Sequence, residues 1–160
     1  MSEPRDQLPI VVGIDGSEDS KNALRWAARQ AELTATTLEA VTAWQLPVSF
    51  GTVWQMPVTY GKSHDLSQVD FAADAKKTLD AALQDVLGPS SHVSVTPQLV
   101  SGRAAPVLIE ASRHAALLVV GRSGHGGFAG MLIGSVSQHC VSHAACPVVV
   151  VRHAAGHKSA

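Results

Sequence analysis

Apolar residues in this chain fall into short continuous runs that alternate with longer stripes at helical spacing. The run LPIVVGID, residues 8–15, is rich in β-branched residues and ends at glycine and aspartate, which is typical of a strand buried on both faces. Ser17 is then a candidate N-cap, and a helix is predicted to about residue 35. Its apolar stripe consists of Ala23, Leu24, Trp26, Ala27, Ala31 and Leu33.

The same alternation continues along the rest of the chain. Further strands are predicted at residues 36–44, 93–100, 116–121 and 146–152, and further helices at 66–87, 101–115 and 134–144. Strands that alternate with helices predict a parallel sheet with helices on both faces and right-handed crossovers. We expect one α/β domain over residues 1–160, with a core at about 8–152 and a frayed tail at 153–160.

Composition narrows the classes of function. The chain has 160 residues, enough for one core, and its 12 basic and 13 acidic residues nearly cancel. This balance argues against a general nucleic-acid or membrane binder, which would need a positive surface. Any phosphate would therefore have to be recognised by a few groups at one site. No apolar stretch has the length of a signal peptide or a membrane span, and two cysteines are too few for a disulfide framework. We therefore expect a cytoplasmic protein with no nucleic-acid or membrane partner.

Residues 121–136, GRSGHGGFAGMLIGSV, contain six glycines between an apolar strand and a helix start. Glycine is favoured where the backbone turns sharply or a ligand lies against it. The sequence indicates an anion site, in which backbone N–H groups of the loop curl around phosphate oxygens and the helix dipole adds positive potential. The N–H groups proposed for this are those of Gly121, Gly124, Gly126, Gly127, Gly134, Ser135 and Val136. The alternative is a surface loop without a ligand.

Ligands of open parallel sheets bind beyond the carboxyl ends of the strands, where the strand order reverses. A strand order of 3-2-1-4-5 would bring Asp15, which follows the first strand, to the glycine loop after the fourth. Neither G-x-x-x-x-G-K-[ST] nor a G-x-G-x-x-G after the first strand is present. ATPase activity through the first motif and dehydrogenase activity through the second are therefore disfavoured.

The pattern that remains is G-x-x-G-x9-G-S, made by Gly121, Gly124, Gly134 and Ser135. Together with VVGIDGSEDSKNALRWA and VSGRAAPVLIEAS, it resembles the ATP-binding branch of the universal stress protein family over nearly the whole chain. The resemblance implies a doubly wound, five-stranded parallel sheet in the order 3-2-1-4-5, of the adenine nucleotide alpha hydrolase-like type. It also implies a homodimer formed through the last strand, residues 147–151, which this order leaves at the sheet edge.

The resemblance further implies the roles of single residues. Asp15 would bind the ribose region, with Gly13 beside the same pocket, and the backbone near Val41 would meet adenine. The phosphates would be held by Gly121, Arg122, Ser123, Gly124, His125, Gly126, Gly127, Gly134, Ser135 and Val136. The chain departs from the family at Ala116, where an aspartate is common, and at His125, where many members have a basic residue. We therefore expect modest affinity for ATP, with Mg²⁺ helping to neutralise the phosphates.

Two other features carry weaker functional signals. His139, Cys140, His143 and Cys146 lie close together in sequence, but no further ligand is evident, so no metal site is expected. The connection at residues 45–65 is long for a loop, and is either packed by its own aromatic residues or serves as a lid or partner contact.

We interpret the chain as a binding module that changes its contacts with a protein partner, not named by the sequence, according to ATP occupancy. No catalytic residue is assigned. The alternatives are slow ATP hydrolysis or phosphoryl transfer at the same loop, and a scaffold that binds no nucleotide.

Overall fold

Five parallel strands form one sheet in the order β3-β2-β1-β4-β5. The computed structural model describes residues 8–46, 70–124 and 132–152. Its strands are β1 (Ile10–Gly13), β2 (Leu38–Trp44), β3 (Val95–Ser101), β4 (Leu117–Gly121) and β5 (Val148–Val151). Its helices are α1 (Glu18–Thr34), α2 (Phe71–Leu87), α3 (Ala104–Ala111), which continues into a 3₁₀ turn at Ser112–His114, and α4 (Ser135–His143). The fold class and strand order predicted from the sequence are confirmed.

Two apolar cores lie on opposite faces of the sheet. On one face, alternate residues of β1 such as Ile10 and Val12 pack with α1 and α2. On the other, Val11 packs with Leu108 of α3 and Cys140 of α4. Because helices cover both faces, the first strand is an uninterrupted apolar run, as parallel strands usually are.

Helix α1 begins where the sequence predicts, but two residues of its expected apolar stripe are exposed. Ser17 is the N-cap and accepts a hydrogen bond from the Ser20 N–H. Trp26 is 36% exposed and Leu33 76%, so these two residues do not belong to the buried stripe of the helix. At 100° per residue, both point about 160–200° away from Leu24, which faces the sheet.

Some element ends also differ from prediction. Helix α2 begins at Phe71, not at residue 66, and Asp70 is its N-cap through a hydrogen bond from the Ala73 N–H. The connection at 45–65, from residue 47 onward, and the tail at 153–160 lie outside the described residues. Within the described ranges, no helix combines the length and apolar character needed to cross a membrane.

The turn after β1 is held in place by the neighbouring strand. The Ile14 N–H donates to the Val41 carbonyl at 2.8 Å, and the buried Thr42 hydroxyl donates to the Ile14 carbonyl at 2.9 Å. Gly16 then turns the chain into α1 with a φ of 85°, a conformation that favours glycine. These contacts place Asp15 at the carboxyl end of the sheet.

Candidate functional site

A cavity of about 270 Å³ opens at the carboxyl ends of β1 and β4, where the strand order reverses. One part of its wall is apolar and is formed by Val41, Ala43, Ala104, Leu108, Val120 and Val136. The other part is polar or bare backbone and includes Asp15, Ser17, Ser20, Ser123, Gly124, Ser135 and Ser137. A wall divided in this way suits a ligand with a flat apolar group and a polar or anionic end.

The start of α4 supplies hydrogen-bond donors to this cavity. Its N-cap is Gly134, which has no side chain to cap the helix. Within the described residues, the N–H groups of Ser135 and Val136 have no acceptor, and both residues line the cavity. An anion placed here would gain both hydrogen bonds and the favourable end of the helix dipole.

The Gly134 N–H itself is already used by the protein. It donates to the Arg122 carbonyl at 2.7 Å, which fixes the start of α4 against the chain leaving β4. The prediction that Gly134 offers its N–H to a ligand is therefore wrong. Sequence alone does not show this, because the acceptor is reached only when the loop returns to the end of the strand.

Gly124 lies directly against Asp15, so the strand order does bring the two segments together. A Cβ atom added at Gly124 would overlap the Asp15 carboxylate. At Gly121 a Cβ would lie 2.7 Å from the backbone of Asp19, at the start of α1. Both glycines line the cavity, as predicted, and at Gly121 the absence of a side chain also lets α1 pack against the end of β4.

Asp15 is held by the turn that it begins. Its Oδ1 accepts hydrogen bonds from the Ser17 N–H, at 2.9 Å, and from the Ser17 hydroxyl. The Ser20 hydroxyl lies 3.4 Å from the Asp15 N–H, which donates to it. Both serines line the cavity, and sequence reasoning missed them as site residues. The signal that could have found them is the pair of serines at the start of α1, of which only Ser17 is predicted from the sequence to have a role, as an N-cap.

The remaining predicted site residues divide into three groups. Gly13 and Val41 line the cavity, as predicted. Arg122 does not line it, and its N–H donates to the Val151 carbonyl at 2.9 Å, which extends the pairing of β4 with β5. His125, Gly126 and Gly127 lie outside the described residues.

Ser123 lines the cavity, but both of its donors are engaged. Its N–H and its hydroxyl donate to Oδ2 of Asp19, at 3.1 Å and 2.7 Å. Asp19 is 8% exposed, and sequence reasoning assigns it no role in the site. Among the described residues of the lining, Asp15 carries the only charged side chain. Backbone N–H groups and hydroxyls therefore provide the favourable contacts for an anion.

The histidines and cysteines of α4 and the chain after it do not converge. The His139 and His143 rings stack with centroids 6.1 Å apart, and each Nδ1 lies close to a backbone carbonyl of the preceding turn. Cys140 is fully buried, and burial raises the pKa of its thiol to about 11, which disfavours the thiolate that metals bind. In the described ranges, no three His, Cys, Asp or Glu side chains are arranged as metal ligands.

Comparison with known sequences gives one consistent result. The family model described as the universal stress protein family matches residues 8–152. Universal stress protein Rv2623 of Mycobacterium tuberculosis is 36% identical over 159 residues, covering 94% of this chain and 50% of Rv2623. The chain thus spans about half the length of the curated relatives it matches.

Solved structures support the same fold. A universal stress protein in complex with cAMP superposes with a TM-score of 0.56 at 24% identity, covering 91% of this chain and 97% of the other. The universal stress protein from Archaeoglobus fulgidus in complex with dAMP gives a TM-score of 0.60 at 22% identity, covering 90% and 97%. At these identities the likeness shows the fold alone.

Proposed function

The chain belongs to the universal stress protein family, and from this premise we propose that it binds an adenine nucleotide, ATP with Mg²⁺ foremost, in the cavity between β1 and β4. Binding would regulate its contacts with a protein partner. The observation that carries the proposal is the uncapped start of α4 beside an apolar wall in one cavity. Two proteins of the same fold, one solved in complex with cAMP and one with dAMP, support the proposal.

The apolar wall is the expected site of the base. Val41, Leu108 and Val120 present aliphatic side chains there, and their packing on a flat ring would remove apolar surface from water. The cavity volume of about 270 Å³ is near the lower end of the usual range for small-molecule sites. A nucleotide is therefore expected to leave part of its phosphate chain exposed to solvent.

The backbone of Ala43 is better placed than that of Val41 to bind the edge of the base. The Val41 carbonyl already accepts from Ile14, and β1 is paired with β2 only as far as Gly13 and Val41. Because the direction of the backbone groups alternates along a strand, the N–H and carbonyl of Ala43 point to the same side of β2 as those of Val41. They lie past the end of β1, so β1 does not pair with them. We therefore revise the expected adenine contact from Val41 to Ala43.

Phosphate would be held by the N–H groups of Ser135 and Val136, and ribose hydroxyls by Asp15. Among the described lining residues the charged side chain is the acidic one of Asp15, so no lysine or arginine of the lining neutralises a triphosphate there. Mg²⁺ would supply that positive charge when bound with ATP. We expect EDTA to weaken the binding of ATP more than the binding of cAMP.

Calorimetry with ATP, AMP, cAMP and GTP, each with and without EDTA, tests the proposal. The adenine nucleotides should bind, and Asp15→Glu should weaken them about tenfold, because the longer side chain cannot keep its hydrogen bonds to Ser17. Asp74→Asn, an exposed change on α2 outside the cavity, is the matched control and should bind as the unmodified protein does. Absence of heat, and of a melting shift, with every adenine nucleotide would instead favour the nucleotide-free scaffold.

A measurement of ATP turnover by the same purified protein distinguishes a binding module from an enzyme. We propose binding without rapid turnover and assign no catalytic residue. Phosphate release measured with excess ATP should stay below about 1 per second, the low end for ordinary enzymes. Faster release, lost in Asp15→Glu, would establish the hydrolase alternative instead.

A further inference from the structure

The buried carboxylate of Asp19 joins two parts of the site that are distant in sequence. Asp19 is the second residue of α1, and Ser123 follows β4. Oδ2 of Asp19 accepts the Ser123 N–H at 3.1 Å and the Ser123 hydroxyl at 2.7 Å. With 8% exposure, Asp19 is screened from water, so these bonds are costly to lose.

The surroundings of Asp19 favour this contact in two ways. A carboxylate in the first turn of a helix is stabilised by the helix dipole and by N–H groups that lack helical partners. The bare backbone of Gly121 lets the start of α1 approach β4, since a Cβ there would lie 2.7 Å from Asp19. The glycine and the carboxylate thus form one packing unit.

The contact fixes the chain between β4 and the cavity from the side of α1. From the other side, the Arg122 carbonyl accepts the Gly134 N–H and the Gly121 carbonyl accepts the Ser137 hydroxyl. Gly124 follows Ser123 directly and lies against Asp15 in the cavity wall. The position of Gly124 relative to the start of α4 therefore depends on how Ser123 is held.

We propose that Asp19 is a positioning residue for the anion-binding half of the cavity. It holds Ser123, and through Ser123 it keeps Gly124 and the N–H groups of Ser135 and Val136 at the spacing that a phosphate group needs. Asp19 itself does not touch the nucleotide. The inference rests on the proposed function, because it assumes that a phosphate binds there.

The test compares AMP with adenosine, which shares the base and ribose but lacks the phosphate. Asp19→Ala removes the acceptor of both Ser123 donors, and we expect about a tenfold loss of affinity for AMP by calorimetry. Affinity for adenosine should change less than about twofold, because Asp15 keeps its hydrogen bonds from Ser17 and neither Asp19 nor Ser123 belongs to the apolar wall. A residue with a purely structural role would not change this ratio.

Two further variants control for charge and for helix stability. Asp19→Asn keeps an oxygen that can accept from Ser123, so it should retain the AMP-to-adenosine ratio within about threefold. Glu18→Ala removes the neighbouring acid of the same helical turn, whose side chain is 69% exposed and pairs with Lys21, and should leave the ratio unchanged.

The outcomes separate this inference from the proposed function. If the unmodified protein binds neither AMP nor adenosine, the proposed function is wrong and the inference falls with it. If it binds both, and Asp19→Ala weakens both equally or neither, only the positioning role is wrong. A selective loss of AMP in Asp19→Ala that Asp19→Asn restores would establish that role.

Discussion

Gly124 and Asp15 meet at the point where the loop after β4 crosses the end of β1. The carboxylate occupies the space that a side chain at Gly124 would need, and both residues line the cavity. Asp15 is oriented by Ser17, so it has little freedom to move aside. The site is therefore sensitive to a single methyl group at this position.

Gly124→Ala should weaken adenine nucleotide binding at least tenfold, because the added Cβ displaces the Asp15 carboxylate. Gly124→Glu should abolish binding, since its side chain would also occupy the cavity. Calorimetry with ATP measures both, and circular dichroism should show an unchanged fold. Gly88→Ala is the control: it ends α2 with a φ of 58° and has no neighbour within 4 Å of an added Cβ, so it should affect stability only. Full affinity in Gly124→Ala would contradict the described geometry.

Elements around the cavity are joined by buried side-chain hydrogen bonds as well as by apolar packing. Thr42 of β2 binds the turn after β1, and Ser137 of α4 binds the end of β4. Ser112, 1% exposed, donates to the Ile109 carbonyl and accepts the Ala145 N–H at 2.8 Å. Ser112 thus connects the end of α3 with the chain between α4 and β5. Such bonds keep the helix starts and strand ends in register.

Ser112→Ala should lower the free energy of unfolding by about 1–3 kcal/mol, because the Ala145 N–H and the Ile109 carbonyl lose a buried partner. Urea denaturation monitored by circular dichroism measures the change. Nucleotide affinity should be unaffected, since Ser112 does not line the cavity. Ser142→Ala, an exposed serine of α4, should change stability by less than about 0.5 kcal/mol. Equal stability of the two variants would show that the Ser112 bonds contribute nothing net.

The two edges of the sheet differ in how they are protected. Edge β3 carries Pro97 at a position whose backbone faces away from β2, so one outward donor is missing. Edge β5 consists of four half-buried valines, and the backbone groups of Val148 and Val150 face outward, because Pro147 and Val151 bond to β4. Unlike β3, β5 has no proline among its outward-facing residues, which supports the prediction of a homodimer through residues 147–151.

Val150→Pro should prevent the proposed homodimer from forming, because it removes an outward N–H without removing a bond to β4. Sedimentation equilibrium measures the mass of both forms. Val150→Thr keeps the N–H and the branched shape, and should remain dimeric. A proline variant that stays dimeric would place the interface elsewhere on the molecule.

Most of the fold could be predicted from the sequence because its signals are local. Apolar runs, helical stripes and caps such as Ser17 depend on neighbours within a few residues, and they identified the strands and helices. The Gly-rich segment and Asp15 likewise indicated which end of the sheet would carry the site. The misassigned residues Trp26 and Leu33 are apolar but lie on the outward side of α1, a distinction that depends on angle around the helix.

The sequence by itself determined the alternation of strands and helices, the family, and the end of the sheet at which a ligand would bind. Only the tertiary structure decided how the donors of the cavity are shared: the N–H groups of Gly134 and Ser123 donate to the protein, whereas those of Ser135 and Val136 have no acceptor among the described residues. The reason is physical. Each of those bonds joins groups that come within hydrogen-bonding distance only after the sheet has formed, so no pattern of neighbouring residues records them.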